Sequence, residues 1–169
     1  MMTNDNAKTI LIIEDEKFWQ NGLKKLLERK GFKVAQAYDY SDAISQLQNL
    51  NPKPTLAIVD IGLPSSASPD NVYDGFHVLK ALQKQCIYAI VLSGKLDLAN
   101  STPISERPEV LGVVDKIHFG SDPDFSEIFL DKVNEAVNFV EVSQLAEGLT
   151  PEQQSRLIDI LLDSSISSV

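Results

Sequence analysis

Leu56-Ala57-Ile58-Val59-Asp60-Ile61-Gly62-Leu63-Pro64 is the stretch that decides how this chain reads. Its first four residues are apolar without a break, as in a strand buried on both faces. The carboxylate of Asp60 follows at once, where such a strand leaves its sheet. The chain repeats the arrangement near its start. Ile10-Leu11-Ile12-Ile13 runs into Glu14-Asp15-Glu16. If the two strands are parallel neighbours, Glu14, Asp15 and Asp60 converge at one edge. Open α/β sheets place their chemistry at that edge. Carboxylates held this close raise one another's pKa unless a cation neutralises them. Hard oxygen ligands suit Mg²⁺. The pattern proposes a metal site that contains a nucleophilic aspartate.

Working outward, apolar runs alternate with helical patterns. Thr9 to Ile13 predicts a strand. Phe18 to Lys30 predicts a helix with Phe18, Leu23, Leu26 and Leu27 at helical spacing, stopped by Gly31. Phe32 to Ala37 is a second strand. A helix opens at Ser41-Asp42, carries Ala43, Ile44, Leu47 and Leu50, and ends at Asn51-Pro52-Lys53-Pro54. Thr55 to Val59 is strand three, and Asp74 to Gln85 the next helix, with Phe76, Val78, Leu79 and Leu82 inward. Ile87 to Leu92 is strand four, ending at Ser93-Gly94. A short helix is expected near Leu96 to Asn100 within a polar, proline-containing stretch. Val110 to Val114 is strand five, ending at Asp115-Lys116. Asp124 to Val142 closes the series with Phe125, Ile128, Phe129, Val133, Val137 and Val140 at helical spacing. Strands separated by helices imply a doubly wound, five-stranded parallel sheet covered on both faces. The flavodoxin-like order 2-1-3-4-5 would set strands one and three side by side at the switch point.

The bulk numbers bound the possibilities. At 169 residues, 43% hydrophobic and 23% charged, the chain can build one domain with a substantial core. A net charge of −9 offers no electrostatic footprint for nucleic acid or anionic membrane. The densest basic patch, Lys24-Lys25 with Arg29-Lys30, reads as a solvated helix face. The single cysteine, Cys86, precludes an intrachain disulfide and reads as a small buried hydrophobe. The first residues lack a signal-peptide pattern, and no apolar run approaches a membrane span. A cytoplasmic location is expected.

Four pieces in this order resemble the receiver domain of bacterial two-component response regulators. They are Glu14-Asp15 after strand one, Asp60 with Pro64 four residues on, Ser93-Gly94 after strand four, and Lys116 after strand five. The resemblance covers about Thr9 to Val142. It implies that Asp60 takes a phosphoryl group as nucleophile. It implies Mg²⁺ held by Asp15, Asp60, the Gly62 carbonyl and, through water, Glu14. Lys116 would pair with Asp60 and then with the phosphate, and the Ser93 hydroxyl would donate to a phosphoryl oxygen. The donor would be a histidine kinase or phosphotransfer protein in a phosphorelay, and the output a protein contact. The chemistry would be self-phosphorylation and self-dephosphorylation, not enzymatic turnover. Residues two after Asp60 and two after Ser93, Gly62 and Lys95, would tune loss of the phosphate.

Each residue also has a plainer reading. The acids 14–16 suit a helix start, Lys116 a surface lysine, and Ser93 before glycine a turn. His77 and His118 read as surface or satisfied-core histidines. The sequence also departs from the family. Asp74-Gly75 comes about seven residues late, implying an insertion over residues 65–73. Val113 stands where the family has a switching aromatic, three residues before the lysine. Ile117 replaces the usual proline, so the turn after strand five must be built differently. The alternative function is therefore a receiver-like interaction module that is not phosphorylated. A Mg²⁺-dependent phosphohydrolase would carry an aspartate where Gly62 stands.

Residues 1–142 are expected to form the receiver and 143–169 a helical extension. Thr150-Pro151-Glu152-Gln153 is a good helix start. Leu157, Ile158, Leu161 and Leu162 form an apolar stripe, and 164–169 should fray. So short a helix must pack on its own domain, on a twin subunit in a homodimer, or on a partner.

Overall fold

The structure is a computed structural model that describes residues 7–64, 73–94, 104–119 and 122–166. The expected helix near Leu96 to Asn100 and residues 65–72 of the insertion expected over 65–73 lie outside them. Five strands form one parallel sheet: β1 (Thr9–Ile13), β2 (Lys33–Ala37), β3 (Leu56–Asp60), β4 (Ala89–Ser93) and β5 (Val110–Asp115). Their order is β2-β1-β3-β4-β5, the flavodoxin-like order expected. Five α-helices accompany them: α1 (Lys17–Arg29), α2 (Tyr40–Asn49), α3 (Asp74–Lys84), α4 (Phe125–Glu147) and α5 (Pro151–Ile166).

The period-2 alternation of a strand sorts the core into two layers. Leu11, Ile13, Ala57, Val59, Ala89 and Val91 face the side covered by α2 and α3, meeting Leu47, Val78, Leu79 and Leu82. Ile10, Ile12, Leu56, Ile58, Ile90 and Leu92 face the other side, meeting Leu23 and Leu27 of α1 and Phe129, Val133 and Val137 of α4. β1, β3 and β4 are apolar on both faces for this reason, and apolar burial on each side supplies the main stabilisation.

Helix ends explain where the strand boundaries move. α1 closes with Gly31 at φ 88°, while Phe32 and Gly31 donate to the Leu27 and Glu28 carbonyls. This is the left-handed ending that the glycine announces. α3 closes the same way, with Ile87 and Cys86 donating to Leu82 and Gln83 and Cys86 at φ 57°. No glycine marks that turn. Ile87 and Tyr88 are consumed by it, so β4 starts at Ala89 and not at Ile87. Cys86 is exposed, contrary to the buried role expected of it. Phe18 and Ile128, read as part of helical stripes, are 70% and 49% exposed.

Between β4 and β5 the described residues contain only a 3₁₀ turn at Ile104–Glu106. α4 continues past the expected stop at Val142 to Glu147. α5 starts with the anticipated capping box: Thr150 N–H donates to Gln153 Oε1 at 2.9 Å and Gln153 N–H to Thr150 Oγ1 at 3.3 Å. The Gln154 amide donates to the Ala146 and Leu149 carbonyls, tying α5 to the end of α4. The helix persists to Ile166, so the fraying expected from Ser164 does not occur there. No helix among the described residues is long and apolar enough to cross a membrane.

Candidate functional site

Strand register carries the acids to one edge. Ile13 pairs with Val59, so Glu14 follows beside Asp60 at the carboxyl end of the sheet. Asp60 pairs with Leu92, and Ser93 with Asp115. Ser93 and Lys116 are therefore delivered to the same edge. Oxygens of Glu14, Asp15 and Asp60 lie within 4.8 Å of one another. Glu14 and Asp60 are buried, whereas Asp15 is exposed. An all-oxygen set of three carboxylates fits a hard divalent cation such as Mg²⁺.

Lys116 supplies the positive charge within this cluster. Its ammonium lies 2.5 Å from Glu14 Oε2 as an ion pair and donates to Asp60 Oδ2 at 2.9 Å. The second oxygen of Asp60 accepts from Gly62 N–H at 2.9 Å. Glu14 Oε1 accepts from Glu16 N–H at 3.1 Å, which fixes the carboxylate to the start of α1. Burial pushes the Glu14 carboxyl up from 4.5 to about 7; Lys116 pulls it down, and Asp60 adds to the rise. Burial pulls the Lys116 ammonium down, but its bonds to Glu14 and Asp60 outweigh this and hold it above 10.5. The pocket keeps its cation charged and makes its deepest acid reluctant to ionise.

The turn after β5 is built without proline. Asp115 Oδ1 accepts from Ile117 N–H at 2.9 Å and caps a 3₁₀ turn at Lys116–His118. That turn aims Lys116 inward and leaves Ile117 65% exposed. Ser93 is 1% exposed, and its hydroxyl has no hydrogen-bond partner among the described residues. A buried hydroxyl without a partner is costly unless an acceptor reaches it. Val113 is half-buried against the α2–α3 side of the core. His77 is exposed, edge-on to Tyr40, and His118 is exposed on the turn.

Three further features support the site, and of these only Gly75, as part of the Asp74-Gly75 pair, left a trace in the sequence. Gln20 is fully buried in α1, and its amide donates to the carbonyls of Ile12, Glu14 and Ala37 while accepting from Gln36. It anchors the backbone of Glu14. Gly75 packs so closely that a Cβ there would sit 2.5 Å from the Asp60 carbonyl oxygen. Trp19 and Phe119 pack at a tilt of 44° with centroids 4.3 Å apart, and the Lys116 ammonium lies 5.0 Å from the Trp19 ring centre. A polar residue inside a helix and an aromatic beside charged residues each have too many ordinary uses to be singled out from sequence.

Comparison with known proteins bears on the family and the fold. Residues 10–106 match the response regulator receiver domain family. The response regulator protein GraR of Staphylococcus epidermidis is 24% identical over 92% of this chain, and the chain spans 62% of GraR's length. The response regulator GtcR of Aneurinibacillus migulanus is 36% identical over 53% of the chain and 34% of its own length. A CheY-like receiver domain from Methanospirillum hungatei superposes with a TM-score of 0.64 at 25% identity, covering 80% of this chain and 97% of that one. NtrX from Brucella abortus superposes with a TM-score of 0.67 at 20% identity over 83% of this chain and 29% of its own, a likeness of fold. The chain belongs to the response regulator receiver domain family.

Proposed function

We propose that this protein is the phosphoacceptor of a two-component or phosphorelay pathway, taking a phosphoryl group on Asp60 and signalling by protein contact. The observation that carries the reading is the position of Asp60: buried at the sheet's carboxyl edge, 2.9 Å from Lys116, with two further carboxylates beside it. The donor would be a histidine kinase or phosphotransfer protein, and the setting the cytoplasm. An Asp60 carboxylate oxygen would attack phosphorus as the phosphorus–nitrogen bond of a phosphohistidine breaks, leaving an acyl phosphate on Asp60 and the histidine free. Glu14, Asp15, Asp60 and the Gly62 carbonyl would hold Mg²⁺, which when bound offsets charge on the phosphoryl oxygens. Lys116 would leave Asp60 for the phosphoryl group as a point charge. The Ser93 hydroxyl, without a partner among the described residues, would donate to it. Hydrolysis of the acyl phosphate would end the signal. Residues 143–169 would act as a helical extension of the receiver, on its own domain or in contact with another chain.

The output relay would differ from that of relatives with an aromatic ring at position 113. A valine cannot swing between exposed and buried states as a ring does. This favours, as a second reading, an interaction module used without phosphorylation. Intact-mass spectrometry after incubation with acetyl phosphate and Mg²⁺ separates the two. The phosphoacceptor reading expects a gain of one phosphoryl group in wild type and none in Asp60→Asn. An unmodified wild type, or equal modification of both, refutes it.

A further inference from the structure

We infer that Trp19 is a positioning residue for Lys116, holding the ammonium over the pocket through the face of its indole ring. The inference rests on the phosphoacceptor reading and concerns how that site is kept ready. The Lys116 side chain is only 9% exposed, and among the described residues three groups surround its ammonium. Glu14 and Asp60 take two sides by charge, at 2.5 and 2.9 Å. The Trp19 ring takes another, 5.0 Å away at its centre. An indole is the best of the aromatic faces for a cation, and the attraction grows when water is excluded.

The ring itself is held by segments far apart in the chain. Phe119 packs on Trp19 with centroids 4.3 Å apart, and Phe18 and Phe125 meet Phe119 edge-on at 5.9 and 4.9 Å. Phe119 fits there because α1 carries Gly22 beneath it, where a Cβ would sit 3.2 Å from the ring tip. Lys116 and Phe119 belong to one short turn, while Phe18, Trp19 and Gly22 belong to α1. This aromatic cluster therefore clamps the turn that bears Lys116 onto the helix that begins beside Glu14 and Asp15. Lysine brings a flexible four-carbon stem, and an unclamped ammonium would sample positions off the pocket. The ring confines it while leaving it free to pivot from Asp60 toward an arriving phosphoryl group.

The test compares wild type, Trp19→Phe and Trp19→Leu, each checked for folding by circular dichroism. Lysine-labelled protein gives the Lys116 ε-methylene proton shift by NMR, and acetyl phosphate with Mg²⁺ gives the rate of Asp60 modification. We expect an upfield ring-current shift in wild type that persists in Trp19→Phe and vanishes in Trp19→Leu. We expect modification about tenfold slower in Trp19→Leu and within about threefold of wild type in Trp19→Phe. Mg²⁺ affinity should stay close to wild type in both. Equal rates in Trp19→Leu and wild type overturn the positioning role. So does a Trp19→Phe variant as slow as Trp19→Leu, or a loss of Mg²⁺ affinity that matches the loss of rate; either marks plain packing. A wild type that is never modified fails differently: it removes the phosphoacceptor reading itself, and the positioning role with it.

Discussion

Gly75→Ala is the substitution whose consequence the geometry fixes most tightly. The added Cβ would lie 2.5 Å from the Asp60 carbonyl oxygen and 2.6 Å from both Cα and the carbonyl oxygen of Ile61. Ordinary contacts between such atoms need about 3.5 Å, so α3 must retreat by roughly 1 Å. All three obstacles are backbone, so no side-chain rotation relieves the overlap. Overpacking a buried site costs about 1–3 kcal/mol, and the absence of a soft neighbour puts this case near 3. The same retreat strains the bond from Asp74 N–H to the Leu63 carbonyl, 3.2 Å long, and drags the backbone of Asp60. Urea unfolding should show the midpoint falling with an unchanged slope, and acetyl phosphate should modify Asp60 more slowly. Gly22→Ala adds the same methyl group against a ring tip at 3.2 Å, which can shift, and should lie within about 1 kcal/mol of wild type. If Gly75→Ala loses less than about 0.5 kcal/mol, or less than Gly22→Ala, the close approach of α3 to the site is wrong.

The remaining predictions concern charge, anchoring and backbone strain. Glu14 titrates near 7 when folded against 4.5 otherwise, so its contribution to stability is full below about pH 4.5 and is lost as pH rises through about 7. At about 1.4 kcal/mol per pKa unit the loss reaches at most ~3.5 kcal/mol. Unfolding curves in EDTA should show that decline in wild type and not in Glu14→Gln; parallel pH profiles would contradict it. Gln20→Leu strips the Glu14 carbonyl of its amide donor and Gln36 of its acceptor, and should cost about 1–3 kcal/mol and weaken Mg²⁺ binding. Unchanged Mg²⁺ titration would show that Gln20 does not anchor the acidic loop. Cys86→Gly relieves a left-handed residue at φ 57° and should raise stability by about 1 kcal/mol in thermal unfolding; a fall would mean the turn is not strained.

What was readable in the sequence follows from which forces leave a local trace. Burial on both faces writes continuous apolar runs, so β1, β3 and β4 could be found and the sheet order proposed. The acids 14, 15 and 60 and Lys116 were legible because each stands at the end of such a run. Their convergence depends on register, which the structure supplies. Gly31 announced a left-handed helix end; Cys86 makes the same turn without announcing it, and β4 was therefore started two residues early. Gln20 and the Trp19–Phe119 contact act between segments far apart in the chain. No spacing rule within one segment could pair Gln20 with Ala37, or Trp19 with Lys116.

The claim beneath all of this is that one pocket accepts a divalent ion and a phosphoryl group together. Fluorine NMR of the protein with beryllofluoride, a stand-in for the phosphoryl group, tests it directly. Bound fluoride resonances should appear when Mg²⁺ is added, disappear with EDTA, and be absent from Asp60→Asn. Wild type showing only free beryllofluoride in saturating Mg²⁺, or Asp60→Asn binding it equally well, would contradict the account.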